Sequence, residues 1–317
     1  MRTQALEEIA EVVLEEKLSG LACEIRFGAP LSERTTFQVG GPADALALPR
    51  EEGELEKLIA RCRSEDLPVT VLGGGANTLV RDGGVQGVVI SLSKGFQQID
   101  VLEEGGESAL IDAGAGGKIP ALVRFAAGRG WEGTECLAGV PGTIGGALAM
   151  NAGTAQKYIE DAVESIRWIR LAGGGAEKLQ AGAIEFAYRS ARLPEPGVVT
   201  SVQFRVTWSD PELLRAYLLR DARARRERQP WGLPCAGSIF RNPPGDWAGR
   251  LVDAAGLKGR RIGGAEVSEV HGNFIVNRGG ATAAEVLSLI EEVRDAVREH
   301  SGVDLVLELK VIGEDAP

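Results

Sequence analysis

The chain has 317 residues and a formal net charge of −10 at pH 7, with 44% hydrophobic and 25% charged residues. This length predicts two or three domains with a sizeable core, and the composition excludes a chain that is disordered throughout. The negative charge argues against general binding to nucleic acid or to an anionic membrane, because both partners attract basic surfaces.

Cysteine and histidine are scarce, and the four cysteines form no CxxC pair. This argues against a disulfide framework and against a cysteine or histidine metal centre, so no metal site is predicted. The N-terminus is acidic and lacks the apolar core of a signal peptide, and no apolar run approaches membrane-spanning length. The sequence therefore predicts a cytoplasmic protein that does not enter the membrane.

The first third of the chain predicts a helix followed by short strands. Apolar residues from Leu6 to Leu18 have helical spacing, with Val13 and Leu14 among them. Alternation from Thr35 to Val39 and the run Ala45–Leu48 predict two strands, and residues 53–64 predict a helix.

A buried strand at Val69–Leu72 then leads directly into the run Gly73, Gly74, Gly75, Ala76 and Asn77. A strand that ends in a glycine-rich turn is the arrangement that phosphate binding requires. The run is not a Rossmann fingerprint, because Thr78 stands where a small residue is needed and no long helix follows.

A second glycine-rich stretch, Cys136–Gly153, follows a helix predicted at residues 120–129. Gly139, Gly142 and Gly145 recur at every third position, and Gly146 follows at once. Without β-carbons, backbone N–H groups can approach a large flat or anionic ligand, so we predict that this stretch holds a dinucleotide cofactor. A tight connection between strands is the structural alternative.

The remaining elements form a mixture of strands and helices. Strands are predicted at 163–171 and 198–206, and a helix from Pro211 to Arg228 with Leu213 on its buried face. Further elements are a helix at 248–255, strands at 263–268 and 273–277, a helix that a Thr282–Glu285 capping box begins, and a strand at 303–312. Glu308 lies on the polar face of that last strand.

Seven stretches together carry a family resemblance. They are RTTFQVGGPAD, VLGGGANTLV, LAGVPGTIGGALAMNAG, FAYRSARL, QPWGLPCAGSIFRNP, GLKGRRIGGAEVSEVHGNFIVN and GVDLVLELKVIG. Their order and spacing, from about residue 34 to residue 313, resemble the UDP-N-acetylenolpyruvoylglucosamine reductase (MurB) family of bacterial cell-wall synthesis. Position 306 is Val where many members carry Glu, and position 241 is Arg where Lys is usual.

The resemblance implies an α+β protein with an FAD-binding, vanillyl-alcohol-oxidase (PCMH) type flavin domain and a C-terminal α+β substrate domain. The implied divisions are an N-terminal helical segment (1–33), a two-lobed flavin domain (34–208, with the lobes split near 85–90) and a substrate domain (209–317). It also implies the reduction of UDP-N-acetylglucosamine enolpyruvate to UDP-N-acetylmuramate, with NADPH as hydride donor. Such an enzyme serves peptidoglycan synthesis and hence cell shape and division.

The chemistry of this reduction requires three groups. Hydride delivery to the β-carbon of the enol ether leaves negative charge on the α-carbon, which spreads into the carboxylate as an enolate. A cation must bind the carboxylate, a second group must contact the enolate oxygens and an acid must protonate the α-carbon. The resemblance places Arg189, Glu308 and Ser238 in these roles. The simpler interpretations are a surface cation, a solvated carboxylate and a turn serine.

The resemblance also names binding residues. It implies non-covalent FAD held by Gly73, Gly74, Gly75, Ala76, Asn77, Gly139, Val140, Pro141, Gly142, Gly145, Gly146 and Asn151. It implies substrate contacts from Asn242 and His271. Arg228 is also nominated as a substrate contact, because Gln229 and Pro230 end its helix there and leave it facing the next loop. The short segment between Asn151 and Arg189 indicates the form of the family without the extra substrate-covering insertion, which leaves open which residues close over the UDP moiety.

Two other functions remain open from the sequence. One is a related flavin oxidase that uses O₂ and attaches FAD through His or Cys. Only Cys136 lies near the glycine-rich stretches, and neither histidine does. The other is a nucleotide-binding module without catalysis. A denatured, acid-precipitated sample that keeps its yellow colour would favour the oxidase. NADPH oxidation on addition of the enolpyruvyl substrate distinguishes the reductase from the module.

Overall fold

The computed structural model describes residues 11–154 and 156–316. Backbone contacts divide the chain into two compact units. The first unit comprises the described residues of Met1–Phe27, Asp44–Gly74 and Gly87–Arg223; the second comprises those of Gly28–Ala43, Gly75–Gln86 and Ala224–Pro317. The division into residues 1–33, 34–208 and 209–317 stays a prediction, since backbone compactness does not decide which residues bind which ligand.

The helices are α1 (residues 11–18), α2 (Glu52–Ser64), α3 (Ile119–Ala127), α4 (Ile144–Ala149), α5 (Pro211–Arg228), α6 (Ala248–Ala254) and α7 (Ala283–Ser301). The first strands are β1 (Glu24–Pro30), β2 (Pro42–Leu48), β3 (Val69–Val71), β4 (Thr78–Val80), β5 (Val85–Ile90), β6 (Ile99–Gly105), β7 (Ser108–Gly114) and β8 (Trp131–Glu132). The later strands are β9 (Val163–Arg170), β10 (Glu177–Gln180), β11 (Glu185–Ala187), β12 (Ser190–Arg192), β13 (Gly197–Trp208), β14 (Arg261–Ile262), β15 (Ala265–Val267), β16 (Ile275–Asn277) and β17 (Lys310–Ile312).

The first unit is built around an antiparallel sheet with strand order β10-β9-β13-β7-β6. The long strand β13 lies at its centre and pairs with β9, with β7 and with the short β8. Leu122 of α3 and Ile144 of α4 are fully buried with Phe204 of β13 in one apolar cluster. Burial of this apolar surface fixes the stretch that follows α3, which is glycine-rich and has few side chains to pack.

A smaller sheet, with order β1-β2-β5-β3, lies mainly in the same unit. Strand β3 pairs in parallel with β5. Helix α2 buries Leu55, Leu58 and Ile59 in the adjoining apolar cluster, as its helical spacing predicts. Val71 of β3 is 45% exposed, so the prediction of a buried strand was wrong there. It is exposed because it lines a cavity.

The second unit combines the antiparallel sheet β14-β15-β16 with helix α7 and the parallel pair β17–β4. The predicted capping box is confirmed: the Glu285 N–H donates to Thr282 Oγ1 at 3.1 Å, and the Thr282 N–H donates to Glu285 Oε2 at 3.1 Å. Gly302 ends the helix with a φ of 69°, a conformation that glycine adopts without strain.

Two predicted strands are wrong in form although their burial alternates as predicted. Between Thr35 and Val39 the chain is irregular, because Gln38 has a φ of 56° and the Thr36 N–H donates to the carbonyl of Gly75 in a loop. The last strand covers only Lys310–Ile312. Residues 303–309 are irregular, with Leu305 buried and Val306 exposed, and they bond to a loop instead of a regular strand.

Several elements escaped prediction. Strands β6 and β7 form a hairpin, strands β11 and β12 form another, and α4 lies inside the second glycine-rich stretch. Leu213 of α5 is exposed, contrary to the predicted buried face, and only Leu214 is buried among the residues of that helix. Of the predicted first helix, Leu14 and Leu18 are buried but Val13 is exposed. Its part before residue 11 lies outside the described residues.

Within the described part of the chain, no helix combines the length and the apolar character that a membrane span requires. The same residues contain no group of three or more His, Cys, Asp or Glu side chains arranged to hold a metal ion.

Candidate functional site

The first unit contains a cavity of about 670 Å³ lined by both glycine-rich stretches. Gly73 from the end of β3 lies on one side, and Thr143, Gly145 and Gly146 at the start of α4 lie on another. The other lining residues come from β3, α4, β12 and β13 and from the loops after β3, β5, β7 and β12; they are Val71, Leu72, Ser91, Leu92, Ser93, Ala115, Gly116, Leu148, Ala149, Val199 and residues 190–197. The volume lies within the usual range of ligand sites, about 300–1,000 Å³.

The two glycine-rich stretches lie directly against each other. A β-carbon on Gly74 would lie 2.6 Å from Gly142 Cα, and one on Gly73 would lie 3.0 Å from Thr143 Oγ1. A β-carbon on Gly145 would lie 3.1 Å from that of Ala115. The glycines therefore permit a close backbone approach that no other residue allows. A bare backbone cradle of this kind fits a large flat dinucleotide such as FAD.

The glycines of α4 do not present free N–H groups to the cavity. The Gly145 N–H donates to the Ala115 carbonyl at 2.9 Å, and the Gly146 N–H donates to Thr143 Oγ1 at 3.4 Å. The sequence suggested that these N–H groups point at the ligand. In the structure these glycines instead leave room for the ligand, because they have no side chains.

The other predicted cofactor residues lie in several places. Gly74 and Gly142 contact each other but do not line the cavity. The cavity lining also does not include Gly139, Val140, Pro141 or Asn151. Gly75, Ala76 and Asn77 belong to the second unit. There, Asn77 Nδ2 donates to the carbonyl of Glu308 at 3.0 Å. Their contacts with FAD stay predictions.

We expect Gly74→Ala to lose FAD. The added methyl group would lie 2.6 Å from backbone atoms, so one glycine-rich stretch must move. Forcing a methyl group into packed backbone costs about 1–3 kcal/mol, which corresponds to about 5- to 150-fold weaker binding if the whole cost falls on the FAD-bound state. The ratio of FAD to protein after gel filtration measures this loss. Gly182→Ala is the matched control, because nothing lies within 4 Å of its β-carbon. Full FAD content in Gly74→Ala would contradict the cradle.

Arg189 lies in the turn of the β11–β12 hairpin. Ala187 pairs with Ser190, so Tyr188 and Arg189 form a two-residue turn. Arg189 has a φ of 58°, where a residue with a β-carbon is strained by about 1–2 kcal/mol. Asn151, which is buried, supports the hairpin by donating from Nδ2 to the carbonyl of Ala187 at 3.2 Å. Glycine would fit this turn with less strain, so the presence of arginine indicates a need for its side chain.

The second unit contains a separate cavity of about 450 Å³. Ser238, Asn242 and His271, three of the residues that the sequence nominated, line it together. The remaining lining residues are Trp247, Gly249, Arg250, Asp253, Lys258, Val270, Gly272 and Asn273. Ser238 and His271 thus line the same cavity although they lie 33 positions apart in the chain.

Asn273 holds the Ser238 loop in place. Its Oδ1 accepts the Phe240 N–H at 2.9 Å, its Nδ2 donates to the Phe240 carbonyl at 2.8 Å and its own carbonyl accepts the Ile239 N–H at 2.9 Å. The side chain is buried, so these bonds lie in a low-dielectric environment where they constrain the loop strongly. Sequence reasoning missed Asn273, although it stands two residues after His271.

Glu308 is tied to the same loop. Its N–H donates to the Ile239 carbonyl at 2.8 Å, and the Arg241 N–H donates to the Val306 carbonyl at 2.8 Å. These bonds place the backbone of Glu308 beside the residue that follows Ser238. The Nε of Arg241 is buried and has no hydrogen-bond partner in the described part of the chain. A buried guanidinium atom of this kind favours negative charge nearby.

Arg228, the third nominated substrate contact, is exposed at the end of α5 and is not among the lining residues of the 450 Å³ cavity. The cations that do line the cavity are Arg250 and Lys258. Arg250 Nε donates to Asp246 Oδ1 at 2.6 Å, and Lys258 Nζ donates to Asp253 Oδ2 at 2.7 Å. A role for Arg228 toward the substrate stays a prediction.

His271 is held as a neutral donor. Burial, with a smaller contribution from the Lys258 charge, lowers the pKa of its imidazole below the usual value of 6.5. Its Nδ1 accepts the Asn273 N–H at 3.1 Å, so the neutral ring carries its proton on Nε2. His271 can therefore donate a hydrogen bond at neutral pH without adding charge to the cavity.

The lowered pKa predicts a loss of stability in mild acid. In the pH window between 6.5 and the lower folded-state pKa, the unfolded chain binds a proton at this histidine that the folded chain does not. The free energy of unfolding therefore decreases as the pH falls through this window. We expect His271→Gln to flatten this part of the profile in chemical denaturation, and the exposed His300→Gln to leave it unchanged. An unaltered slope in His271→Gln would contradict the assignment.

Comparisons with known proteins match both parts of the chain. Residues 43–179 match the FAD binding domain family, and residues 229–312 match the family described as UDP-N-acetylenolpyruvoylglucosamine reductase, C-terminal domain. The first match includes both glycine-rich stretches, and the second includes Ser238, Asn242, His271 and Glu308. Arg189 and Arg228 fall outside both matches.

Whole-length relatives agree with these matches. The chain is 43% identical to the UDP-N-acetylenolpyruvoylglucosamine reductase of Desulfosudis oleivorans, over 92% of this chain and 95% of that protein. It is 43% identical to the enzyme of the same name from Anaeromyxobacter sp., over 95% of this chain and 92% of that protein. The crystal structure of UDP-N-acetylenolpyruvylglucosamine reductase (MurB) from Thermus caldophilus matches with a TM-score of 0.78 and 38% identity, covering 92% of this chain and 99% of that chain.

Proposed function

The chain belongs to the UDP-N-acetylenolpyruvoylglucosamine reductase family, and from this membership we propose how its own residues carry out the reaction. The protein is an FAD-dependent oxidoreductase that reduces UDP-N-acetylenolpyruvoylglucosamine in peptidoglycan synthesis. Its fold is that of an α+β flavoprotein of the PCMH type, as the sequence predicted. The proposals concern the roles of individual residues, the hydride donor and the location.

One observation carries the assignment of the substrate site. Ser238, Asn242 and His271 line a single cavity, and the Ser238 loop is bonded to the segment that carries Glu308. Four residues nominated from distant stretches are thereby placed within one unit. This arrangement supports the 450 Å³ cavity as the place where the substrate is bound and protonated.

Each catalytic residue is proposed to act on a defined atom of the substrate. Bound FAD, which the cradle of Gly73, Gly145 and Gly146 would hold, supplies the hydride that reduces the double bond. Arg189 pairs with the substrate carboxylate, where a planar guanidinium forms two hydrogen bonds. Glu308, as the protonated carboxyl group, donates a hydrogen bond to the enolate oxygen, and Ser238 delivers the proton to the α-carbon.

Ser238 is a weak acid, so its environment must favour the alkoxide that remains after proton transfer. Arg241, three residues along the same loop, contributes a guanidinium group whose Nε is buried. The bonds from Asn273 hold the loop between these two residues. We attribute the acidity of Ser238 to this preorganised positive charge.

FAD is proposed to bind without a covalent link. Cys136, the cysteine within the second glycine-rich stretch, is buried, and burial raises the pKa of its thiol to about 12. A thiol protonated to this extent is a poor nucleophile. These facts favour the reductase over an oxidase with covalent flavin.

NADPH as the hydride donor and a cytoplasmic location also remain proposals. Family membership supports the first. All four cysteines are free thiols, as is usual in a reducing compartment, and this supports a cytoplasmic location. The proposed partners are NADPH and UDP-N-acetylglucosamine enolpyruvate, with no role for nucleic acid or membrane.

The function is tested by steady-state NADPH oxidation with purified protein that shows flavin absorbance. The reductase predicts oxidation that depends on UDP-N-acetylglucosamine enolpyruvate and yields UDP-N-acetylmuramate. A flavin that stays attached after denaturation, or oxidation that depends only on O₂, would favour the oxidase. A colourless protein that cannot be reconstituted with FAD would exclude both.

A further inference from the structure

Trp247 lies at the rim of the 450 Å³ cavity with 62% of its surface exposed. Tryptophan is highly buried on average, because its ring carries a large apolar area. Val270, 52% exposed, lines the same cavity. Together the two side chains present an apolar surface at the mouth of a cavity whose other side chains are polar or charged.

Local structure does not explain the choice of tryptophan. Trp247 is the N-cap residue of α6, and its side chain forms no capping hydrogen bond. Asn242 Oδ1 accepts the Ala248 N–H at 3.0 Å in its place. Ser, Asp or Asn at an N-cap stabilises a helix by about 1 kcal/mol relative to a residue that cannot cap. A residue that breaks this local rule, while remaining exposed beside a cavity, points to a ligand.

The charges in the cavity specify the ligand further. Arg250 is paired with Asp246 and Lys258 with Asp253, so these four charges balance beside a neutral His271. A guanidinium has five N–H donors and an ammonium group three, so both cations keep donors for a further anion. An exposed indole ring next to such donors matches a flat base joined to phosphate groups. Base stacking on an aromatic side chain and attraction of phosphate to Lys and Arg are general modes of nucleotide recognition.

We infer that Trp247 stacks on the uracil of the sugar nucleotide, with the diphosphate directed toward Arg250 and Lys258. The inference rests on the proposed function and adds the residue that covers the uridine end. The sequence left open which residues close over the UDP moiety, because the chain lacks the extra substrate-covering insertion. Trp247 thereby becomes a specificity-determining residue for the nucleotide, whereas Ser238, Glu308 and Arg189 act on the enolpyruvyl group.

The experiment measures UDP binding to the FAD-loaded protein by calorimetry and by tryptophan fluorescence. We expect Trp247→Ala to weaken UDP binding by about tenfold or more, since stacking on an aromatic ring is lost. Trp247→Phe retains a flat ring and should lose no more than about threefold in affinity. The fluorescence quenching that UDP causes in the natural protein should disappear in Trp247→Phe. A purely structural role for Trp247 does not predict this separation of affinity from quenching.

Trp231→Ala is the matched control. Trp231 belongs to the same unit, is 70% exposed and is not among the lining residues of the cavity. UDP affinity should not change in this variant. Titration with 2′,5′-ADP tests the adenosine end of NADPH as the other source of a stacked base.

The outcomes separate this inference from the proposed function. Weaker UDP binding in Trp247→Ala, with Trp231→Ala unaltered, supports it. Equal UDP binding by the natural protein and Trp247→Ala overturns the inference and leaves the reductase intact. A loss confined to 2′,5′-ADP also overturns it. Failure of the natural protein to bind UDP at all would overturn both.

Discussion

Replacing Ser238 with alanine is expected to reduce turnover by about 10²–10⁴-fold, the usual contribution of a positioned general acid. The loss should lie in the half-reaction with the enolpyruvyl substrate, because the hydroxyl group protonates the α-carbon. Reduction of FAD by NADPH should proceed at nearly the natural rate. Rapid-mixing experiments that follow flavin absorbance measure the two half-reactions separately.

Two further variants distinguish the acid from a structural serine. Ser238→Cys keeps an acidic proton at the same position and should recover part of the lost rate. Ser301→Ala makes the same substitution at a helix end, where the hydroxyl only donates to the Val297 carbonyl, and should leave both half-reactions unchanged. If both half-reactions survive in Ser238→Ala, the assignment of the acid is wrong.

Replacing Arg189 is expected to produce the second largest effect. Removing its guanidinium should slow the substrate half-reaction by about 10²–10³-fold, as loss of a preorganised charge commonly does. Glycine is the informative replacement, because the φ of 58° suits glycine better than arginine. We expect the free energy of unfolding of Arg189→Gly to be unchanged or higher by up to about 1 kcal/mol. The substitution should therefore lower activity without lowering the free energy of unfolding, which urea denaturation measures.

Arg189→Lys tests the geometry of the contact. It keeps the charge but cannot form the two parallel bonds of a guanidinium, so the rate should recover only in part. A normal rate of flavin reoxidation by substrate in Arg189→Gly would contradict the role of this residue. A large loss of stability in the same variant would mean that the arginine supports the hairpin.

Sequence reasoning predicted best where a local pattern and the final packing agree. The capping box formed by Thr282 and Glu285 predicted where α7 begins. The chemistry of glycine similarly identified both stretches that line the larger cavity. In each case the decisive information lies within about twenty neighbouring residues of the chain.

Long-range pairing explains most of what escaped prediction. Residues 303–309 alternate like a strand, yet their partner is the irregular loop around Ile239. Nothing near Asn273 in the sequence reveals that its side chain bonds to Phe240. The second unit is likewise assembled from three separate stretches, an arrangement that depends on tertiary contacts and not on local propensity.

The candidate site also combines residues that the sequence nominates with an arrangement that only the fold reveals. Ser238, Asn242 and His271 were nominated individually, but only the fold shows that they line one cavity. The exposed position of Trp247 carries no sequence signal, since an isolated tryptophan is more often part of a core. Arg228, in contrast, was nominated as a substrate contact but does not line that cavity.

In the proposed reaction, electrons pass through bound FAD to the enolpyruvyl group. The most direct test reduces the purified protein with NADPH in the absence of oxygen and then adds UDP-N-acetylglucosamine enolpyruvate. We expect flavin absorbance to return at the rate at which UDP-N-acetylmuramate forms. A flavin that remains reduced until oxygen is admitted would contradict it.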